Sequence, residues 1–286
     1  MTDKITIFNC YPEILNHIKQ FVDINPLLKT TTKFNNMKKI LYNWRLNRET
    51  SLKYINKVAF KKIINNKLTL TRKQLSLNLS DCNITDTSNL GNLYGLNLKK
   101  NYTLRDVSEL GNTTYLRLDF CENLTDVSKL GNVYDLSLIY CKNLIDVSKL
   151  TNCFKLNLAG CNKLTNVHAL SNINCLILGE CKDLTDVSNL YNIKDLSLIN
   201  CPNVTDVSKL GNINKLYLFN CENIIDISKL TNNNSVTIVN CRKIKNFSSL
   251  CNAHKLELHR CSITDKDIKL LKKNVPEIYI VNQQPI

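Results

Sequence analysis

From residue 75 onward the chain repeats itself every 20 residues, and no other feature restricts its fold as tightly. One turn reads Leu116-x-Leu118-x-x-Cys121-x-x-Leu124-Thr125-Asp126-Val127-Ser128-x-Leu130-Gly131-Asn132. The next reads Leu136-x-Leu138-x-x-Cys141-x-x-Leu144-x-Asp146-Val147-Ser148-x-Leu150-Thr151-Asn152. Cysteine recurs at 121, 141, 161, 181, 201, 221, 241 and 261, with Asn101 at the matching place upstream. Asparagine recurs at 92, 112, 132, 152, 172, 192, 212, 232 and 252. A fixed period of this kind marks a stack of like units in which each turn meets only its neighbours. One turn has about five apolar side chains to bury, too few to offset the ordering of its own backbone. The turns must therefore share faces in one continuous solenoid.

Within each turn, Leu-x-Leu alternates and predicts a short strand with both leucines on one face. Cys-x-x-Leu then turns the chain. Asp-Val-Ser-x-Leu predicts a short helical or 3-10 turn capped by its Asp, whose carboxylate can accept backbone N–H groups. The Asn that follows is expected in a left-handed position, returning the chain to the next strand. Together these predict a right-handed solenoid with about eleven parallel strands on a concave side.

The repeat resembles the leucine-rich-repeat family, specifically its cysteine-containing subtype, in which Cys-x-x-Leu/Ile-Thr-Asp follows the strand. Residues 75–275 carry the resemblance. It implies an α/β solenoid of 20-residue repeats with a parallel sheet on the concave face, and the residues ahead of the repeat add a small helical domain. The Asp-Val-Ser-x-Leu portion is shorter than the subtype's helix, so the side opposite the sheet should be thin. The ends differ, because Cys82-x-Ile84-Thr85-Asp86 and Cys261-x-Ile263-Thr264-Asp265 each lack one residue. Asp265–Asn274 reads as a fuller helix before a last strand, Ile278-Tyr279-Ile280-Val281, forming a C-terminal cap. The expected organisation is a helical domain over 1–50, a helical linker or N-cap over 51–74, the solenoid over 75–264 and the cap over 265–286.

Residues 1–74 lack the repeat and read as helical. Ile14, Leu15, Ile18, Phe21 and Val22 share one helical face. Pro26, Leu27 and Leu28 can start a second helix. Met37, Ile40, Leu41 and Trp44 make a third face, and Leu52, Ile55, Val58 and Ile63 a fourth. Tyr11-Pro12-Glu13-Ile14-Leu15-x-x-Ile18-x-x-Phe21-Val22-Asp23 followed by Leu27-Leu28 resembles an F-box, the module that docks a receptor onto the Skp1 adaptor of a cullin ubiquitin ligase. The resemblance implies adaptor-binding roles for Pro12, Glu13, Leu15, Ile18, Leu27 and Leu28. The chain departs from the pattern at Tyr11, where a leucine is usual, and at Pro12, which abuts Glu13 without a spacer. Polar Thr30, Thr31 and Thr32 also fill a stretch that is normally more apolar. The other reading of this segment is a helical cap over the solenoid's open end.

Charge narrows the partner. The chain carries a net +14, but residues 1–75 hold 15 Lys and Arg against 4 Asp and Glu, whereas residues 76–286 hold 23 against 20. The repeat is thus nearly neutral. The wealth of Asn, Lys and Ile is what an AT-rich coding sequence produces, so the basic excess is weak evidence for a nucleic-acid partner. No run of about 18 apolar residues is present, so no membrane span is expected. Met1-Thr2-Asp3-Lys4 opens no secretory pattern, and the expected location is intracellular, in cytoplasm or nucleus. Thirteen cysteines, an odd number at periodic spacing, read as reduced and mostly buried thiols.

Stacked cysteines about 4.8 Å apart point the same way, so structural thiols are expected rather than disulfides or a metal site. The Thr-Asp-x-Ser context assigns Asp86, Asp106, Asp126, Asp146, Asp186, Asp206 and Asp226 to turn capping rather than calcium, and Asn166 and Asn246 replace them. Cys251-x-x-His254-x4-His259-x-Cys261 has zinc-like spacing, but its register turns Cys261 inward and His259 outward. No nucleophile set, carboxylate pair or phosphate loop is present, so neither an enzyme nor a cofactor is expected. The positions that do not repeat carry the information. Side chains flanking Leu-x-Leu should project from the concave face as a surface for a protein target. They include Tyr115, Arg117, Asp119, Asp135, Ile139, Lys155, Asn157, Cys175, Ile177, Asp195, Ile199, Lys215, Tyr217, Phe219, Lys255, Glu257 and His259, with Phe120 and Tyr140 just beyond.

Overall fold

A computed structural model describes residues 43–59, 61, 62, 64, 65 and 74–281. Twelve parallel strands form one sheet in sequence order. They are β1 (Asn43–Leu46), β2 (Gln74–Asn78), β3 (Gly95–Asn97), β4 (Tyr115–Arg117), β5 (Asp135–Ser137) and β6 (Lys155–Asn157), then β7 (Cys175–Gly179), β8 (Asp195–Ile199), β9 (Lys215–Phe219), β10 (Ser235–Val239), β11 (Lys255–His259) and β12 (Glu277–Val281). From β4 to β11 the register steps by one period, aligning Tyr115, Asp135, Lys155, Cys175, Asp195, Lys215, Ser235 and Lys255. The fold is an α/β leucine-rich-repeat solenoid.

Each strand buries its leucines and turns the residue between them outward. Leu116 and Leu118 are fully buried, as are Leu124 and Leu130 further along the same turn. Opposite the sheet the chain makes only short 3-10 turns, such as Ser128–Leu130 and Ser208–Leu210. That side is thin, as the short Asp-Val-Ser-x-Leu segment implies. The Asp before each turn accepts the backbone N–H of the Ser two residues on, at 2.8 Å for Asp126 and Ser128 and 2.7 Å for Asp206 and Ser208. Asn166 and Asn246 accept the same bond from His168 and Ser248 at 2.9 Å, which is why they substitute freely.

The cysteine ladder is structural. Cys121, Cys141 and Cys161 are fully buried. Each directs its S–H to a carbonyl 23 residues back, that of Leu98, Leu118 or Leu138, at 3.2 Å. All described cysteines are free thiols. Asn101 fills the first rung with a stronger version of the same device. Its amide N–H group donates to the Leu79 and Leu98 carbonyls at 2.9 and 2.8 Å, and its oxygen accepts from the Cys82 and Ile84 N–H groups.

One expectation about the corners is corrected. The left-handed residue is not the Asn that ends the turn but the residue just before each cysteine. Positive φ occurs at Lys100, Phe120, Tyr140, Glu180, Asn200, Asn220, Asn240 and Arg260, and at Gly160. The tight reversal lies where the chain leaves the strand, and there the Cys121 N–H donates to the Leu118 carbonyl at 3.1 Å. Re-entry needs no such corner, since Gly131 leaves its 3-10 turn in right-handed backbone, φ −59. The exposed asparagines there bond along the stack instead, Asn152 to Asn132 at 3.1 Å and Asn232 to Asn212 at 2.9 Å.

The N-terminal side also departs from the all-helical reading. The sheet begins before the periodicity does, because β1 pairs in parallel with β2, Asn43 beside Gln74. Trp44, expected on a helix, lies in this strand. Helix α1 (Arg48–Asn56) follows, capped by the Asn47 side chain, which accepts from the Thr50 N–H at 2.9 Å. Buried Ser51 ties it to the sheet, donating to the Leu46 carbonyl and accepting from the Asn78 N–H. Leu52 and Ile55 pack on the core as expected, whereas Val58 is 84% exposed. Ile63, Met37, Ile40, Leu41 and the F-box-like stretch lie outside the described residues. At the other end helix α2 (Asp265–Asn274) precedes β12 and buries Leu271.

Candidate functional site

The backbone alternation places three rows of side chains on the open face of the sheet. The first row runs through Tyr115, Asp135, Lys155, Cys175, Asp195, Lys215, Ser235 and Lys255. The second holds Arg117, Ser137, Asn157, Ile177, Ser197, Tyr217, Thr237 and Glu257 in the same register. The third continues along the strand ends with Asp119, Ile139, Ala159, Gly179, Ile199, Phe219, Val239 and His259. None of the three rows repeats in chemistry, although all sit on an interior that does.

The first turns are charged and aromatic. Arg117 grips Asp135 with two parallel hydrogen bonds, 2.6 and 3.1 Å. The hydrogen bond to Asp135, helped by the nearby Asp135 and Asp119 charges, holds the Arg117 guanidinium above its ordinary pKa against the opposing effect of burial. Asp119 stands on the expected face but is 1% exposed. It is covered by Lys99, 2.6 Å from its carboxylate, and by a hydrogen bond from the Ser137 hydroxyl. Asp119 therefore braces the surface instead of presenting a free contact. A concavity of about 710 Å3 opens beside this network, lined by Arg45, Asn78, Tyr94, Asn97, Tyr115 and Arg117 with their neighbours.

Further along, the surface becomes apolar. Ile139, Ile177, Ile199, Phe219 and Val239 are half-buried, and Tyr217 stacks on Phe219 with ring centroids 6.3 Å apart. Phe120 and Tyr140 stack on each other at 5.1 Å at the strand ends. The Tyr140 hydroxyl donates to the Glu180 carboxylate at 2.9 Å, which raises the tyrosine's pKa. Lys215 lies 3.8 Å from Asp195, and Lys255 pairs with Glu257 at 2.8 Å. Lys155 is half-buried beside Asp135, its neighbour in register. His259 packs against Tyr279 at 5.5 Å.

The sequence reading missed an aromatic row at the strand entrances. Tyr94, Tyr115, Tyr134 and Phe154 touch in series, with centroids 5.0, 6.1 and 4.7 Å apart. Tyr134 and Phe154 are 44% and 43% exposed. Their signal was present, since Tyr134 and Phe154 each stand two residues before a strand leucine. Lys99 and Glu180 were also missed, because their roles depend on contacts one or two turns away.

Several of the buried ladder thiols are chemically quiet. Burial pushes Cys121, Cys161 and Cys221 up to about 12, so almost no thiolate forms near neutrality. The zinc-like spacing is dispersed. Cys261 directs its thiol to the Ile238 carbonyl, while His254 lies near Glu277 and His259 near Tyr279. Among the described residues no three metal-ligating side chains gather, and no helix is long and apolar enough to cross a membrane.

Neither family models nor curated proteins match this sequence. Solved structures do. The chain is similar to an internalin (inlF) from Listeria monocytogenes at 25% identity and a TM-score of 0.50, over 68% of this chain and 64% of that one. It is also similar to the functional domain of InlJ from Listeria monocytogenes, which includes a cysteine ladder, at 16% identity and a TM-score of 0.40, over 73% and 62%. A third is a leucine-rich-repeat protein of Leptospira interrogans, at 15% identity and a TM-score of 0.38, over 88% and 75%. The chain spans less than two thirds of the two Listeria proteins. The twelve-strand parallel sheet and the likeness to the internalin give the chain the fold of a leucine-rich-repeat solenoid.

Proposed function

We propose that this chain is a protein-interaction module that captures another protein on the open face of its sheet. One observation carries the reading. Side chains that recur in every turn are buried or spent on the turns, whereas the half-exposed open face differs at every step. It mixes apolar anchors such as Ile177, Tyr217 and Phe219 with fixed charges such as Arg117 and Asp135. Aromatic and aliphatic anchors among ordered charges are what protein recognition uses. Lys155, Lys215, Glu257, His259, Ile139, Tyr115, Phe120 and Tyr140 belong to the same surface. A photo-crosslinking residue placed at Tyr217 should form discrete adducts with proteins of the native cell, while one at Lys129, opposite the sheet, should not. Equal adducts from both sides would contradict the assignment.

A second reading extends the first, on the resemblance of residues 11–28 to an F-box. The open face would then select a target for a Skp1-cullin ubiquitin ligase, with Pro12, Glu13, Leu15, Ile18, Leu27 and Leu28 docking the adaptor. Ile18→Asp or Leu27→Asp in the full chain should abolish co-purification of a Skp1-like adaptor without moving the melting temperature. Failure of the unaltered chain to bind any such adaptor would leave the binding module alone.

A further inference from the structure

The carboxylates of the open face are almost all neutralised within the fold. Asp119 pairs with Lys99, Asp135 with Arg117, Asp195 with Lys215 and Glu257 with Lys255, while Glu277 lies 3.9 Å from the His254 ring. Glu180 does not follow them. Among the described residues no Lys, Arg or His lies within ion-pair distance of it. Its only hydrogen-bond partner there is the Tyr140 hydroxyl, two turns away, 2.9 Å from each carboxylate oxygen.

The glycine between the two residues makes room for that contact. Tyr140 and Glu180 both occupy the left-handed corner, φ 57 and 51, where a bulky side chain is disfavoured. The turn between them has Gly160 at the same corner, and a Cβ there would stand 2.4 Å from the Tyr140 ring. The missing side chain lets the ring lie across that turn and reach the carboxylate. Phe120 stacks behind Tyr140 at an interplanar angle of 20°. Beside this line runs the apolar row Ile139, Ala159, Gly179 and Ile199, which steps down to a bare backbone between the two isoleucines.

We propose that Glu180, with Tyr140 and Phe120, is the subsite for an arginine side chain of the protein partner, one flanked by apolar residues that rest on the row from Ile139 to Ile199. The inference rests on the open-face reading and specifies its chemistry. A fixed carboxylate without a cation complements a guanidinium, whose planar fork can take one carboxylate oxygen and the oxygen of the Tyr140 hydroxyl beside it, and whose face lies favourably on an aromatic ring. Lysine would keep the charge and lose the fork. The three-carbon stem can rest on half-buried Ile139, Ala159 and Ile199 and gains by covering apolar surface.

The test uses the folded full chain and a displayed random dodecapeptide library. Peptides enriched on the unaltered protein should carry an arginine within two positions of apolar residues. In synthetic copies, replacing that arginine by citrulline should weaken binding by about tenfold or more, and by lysine less. E180Q, which keeps shape and removes charge, should cost the same factor, and E180Q with the citrulline peptide should cost no more than either alone. Y140F should lose part of the affinity by freeing the carboxylate. Melting curves of E180Q and Y140F identify any loss due to unfolding, and in that case the citrulline and lysine exchanges, made in the peptide alone against the unaltered protein, decide. Enriched peptides without arginine, unchanged affinity for E180Q, or no enrichment at all would overturn the assignment. If such peptides lose binding on I199E but not on E180Q, the open face still binds protein and only the arginine subsite fails. If neither variant weakens them, the open-face reading fails as well.

Discussion

Two sets of positions on the same strands, one residue apart, obey opposite rules. Leu116, Leu136, Leu156, Leu176, Leu196 and Leu216 are the same residue in six consecutive turns and are at most 1% exposed. Their neighbours Arg117, Ser137, Asn157, Ile177, Ser197 and Tyr217 change chemistry from each turn to the next and lie on the open face. The inner set meets an identical environment in every turn, so one solution serves throughout. The outer set meets whatever lies beyond the protein, and nothing in the stack dictates it. Stability is therefore located in the repeating positions and specificity in the variable ones.

The sharpest way to break this comparison is to exchange chemistry across it. Leu178→Asp puts an unpaired charge into a site with no exposure and should cost several kcal/mol, enough to abolish cooperative melting near room temperature. Ile177→Asp, one residue earlier, should move stability by only about 0.5–1 kcal/mol. Equal losses would mean that the strand register is wrong.

Thiol chemistry should separate the same two regions. Cys121, Cys161 and Cys221, shifted from 9 to about 12, hold roughly a thousandfold less thiolate than an ordinary cysteine. Cys175 on the open face and Cys82 and Cys251 near the surface are only partly buried. In the native chain an alkylating reagent should label Cys82, Cys175 and Cys251 first, and mass spectrometry should find the ladder modified only after unfolding. Rapid modification of Cys161 in the folded chain would contradict its structural role.

A smaller effect is expected at the corners. Gly160→Ala brings a Cβ 2.4 Å from the Tyr140 ring at a residue with φ +78. A loss of about 1–2 kcal/mol should follow in denaturant melts. The same substitution at Gly179, where a Cβ would be 3.0 Å from the Ala159 methyl and φ is not positive, should cost less.

The smallest effect concerns pH. The hydrogen bond from the following Ser N–H holds Asp126 and its six equivalents below the usual carboxylate range. A pKa lower in the folded state stabilises the fold above the unfolded value, about 3.9. That contribution disappears as pH falls through the folded pKa values. The melting temperature should thus hold near neutrality and fall below about pH 4. Asp126→Asn, which copies the Asn166 turn, should melt like the unaltered protein at neutral pH and lose slightly less in acid.

Most of the fold was legible because the period transmits one local solution along the whole chain. The buried leucines, the thiol ladder and the Asp turns all follow from residues at a fixed spacing. Features that depend on one rung differing from its neighbours were not legible. Asp119 reads as an outward charge until Lys99 and Ser137 close over it. The Tyr140–Glu180 contact needs a glycine at the intervening corner, which no local pattern announces. Strand β1 escaped because its four residues lie outside the period, and the apolar spacing around Trp44 suits a helix equally well.

The most direct test of the separation replaces Ile139, Ile177, Ile199, Tyr217 and Phe219 together by serine and measures peptide binding beside the melting curve. The account predicts a chain that still melts cooperatively, weaker by about 2–3 kcal/mol at most, and that binds none of the peptides enriched by the unaltered protein. A collapse of stability like that of Leu178→Asp, or binding that survives all five changes, would contradict it.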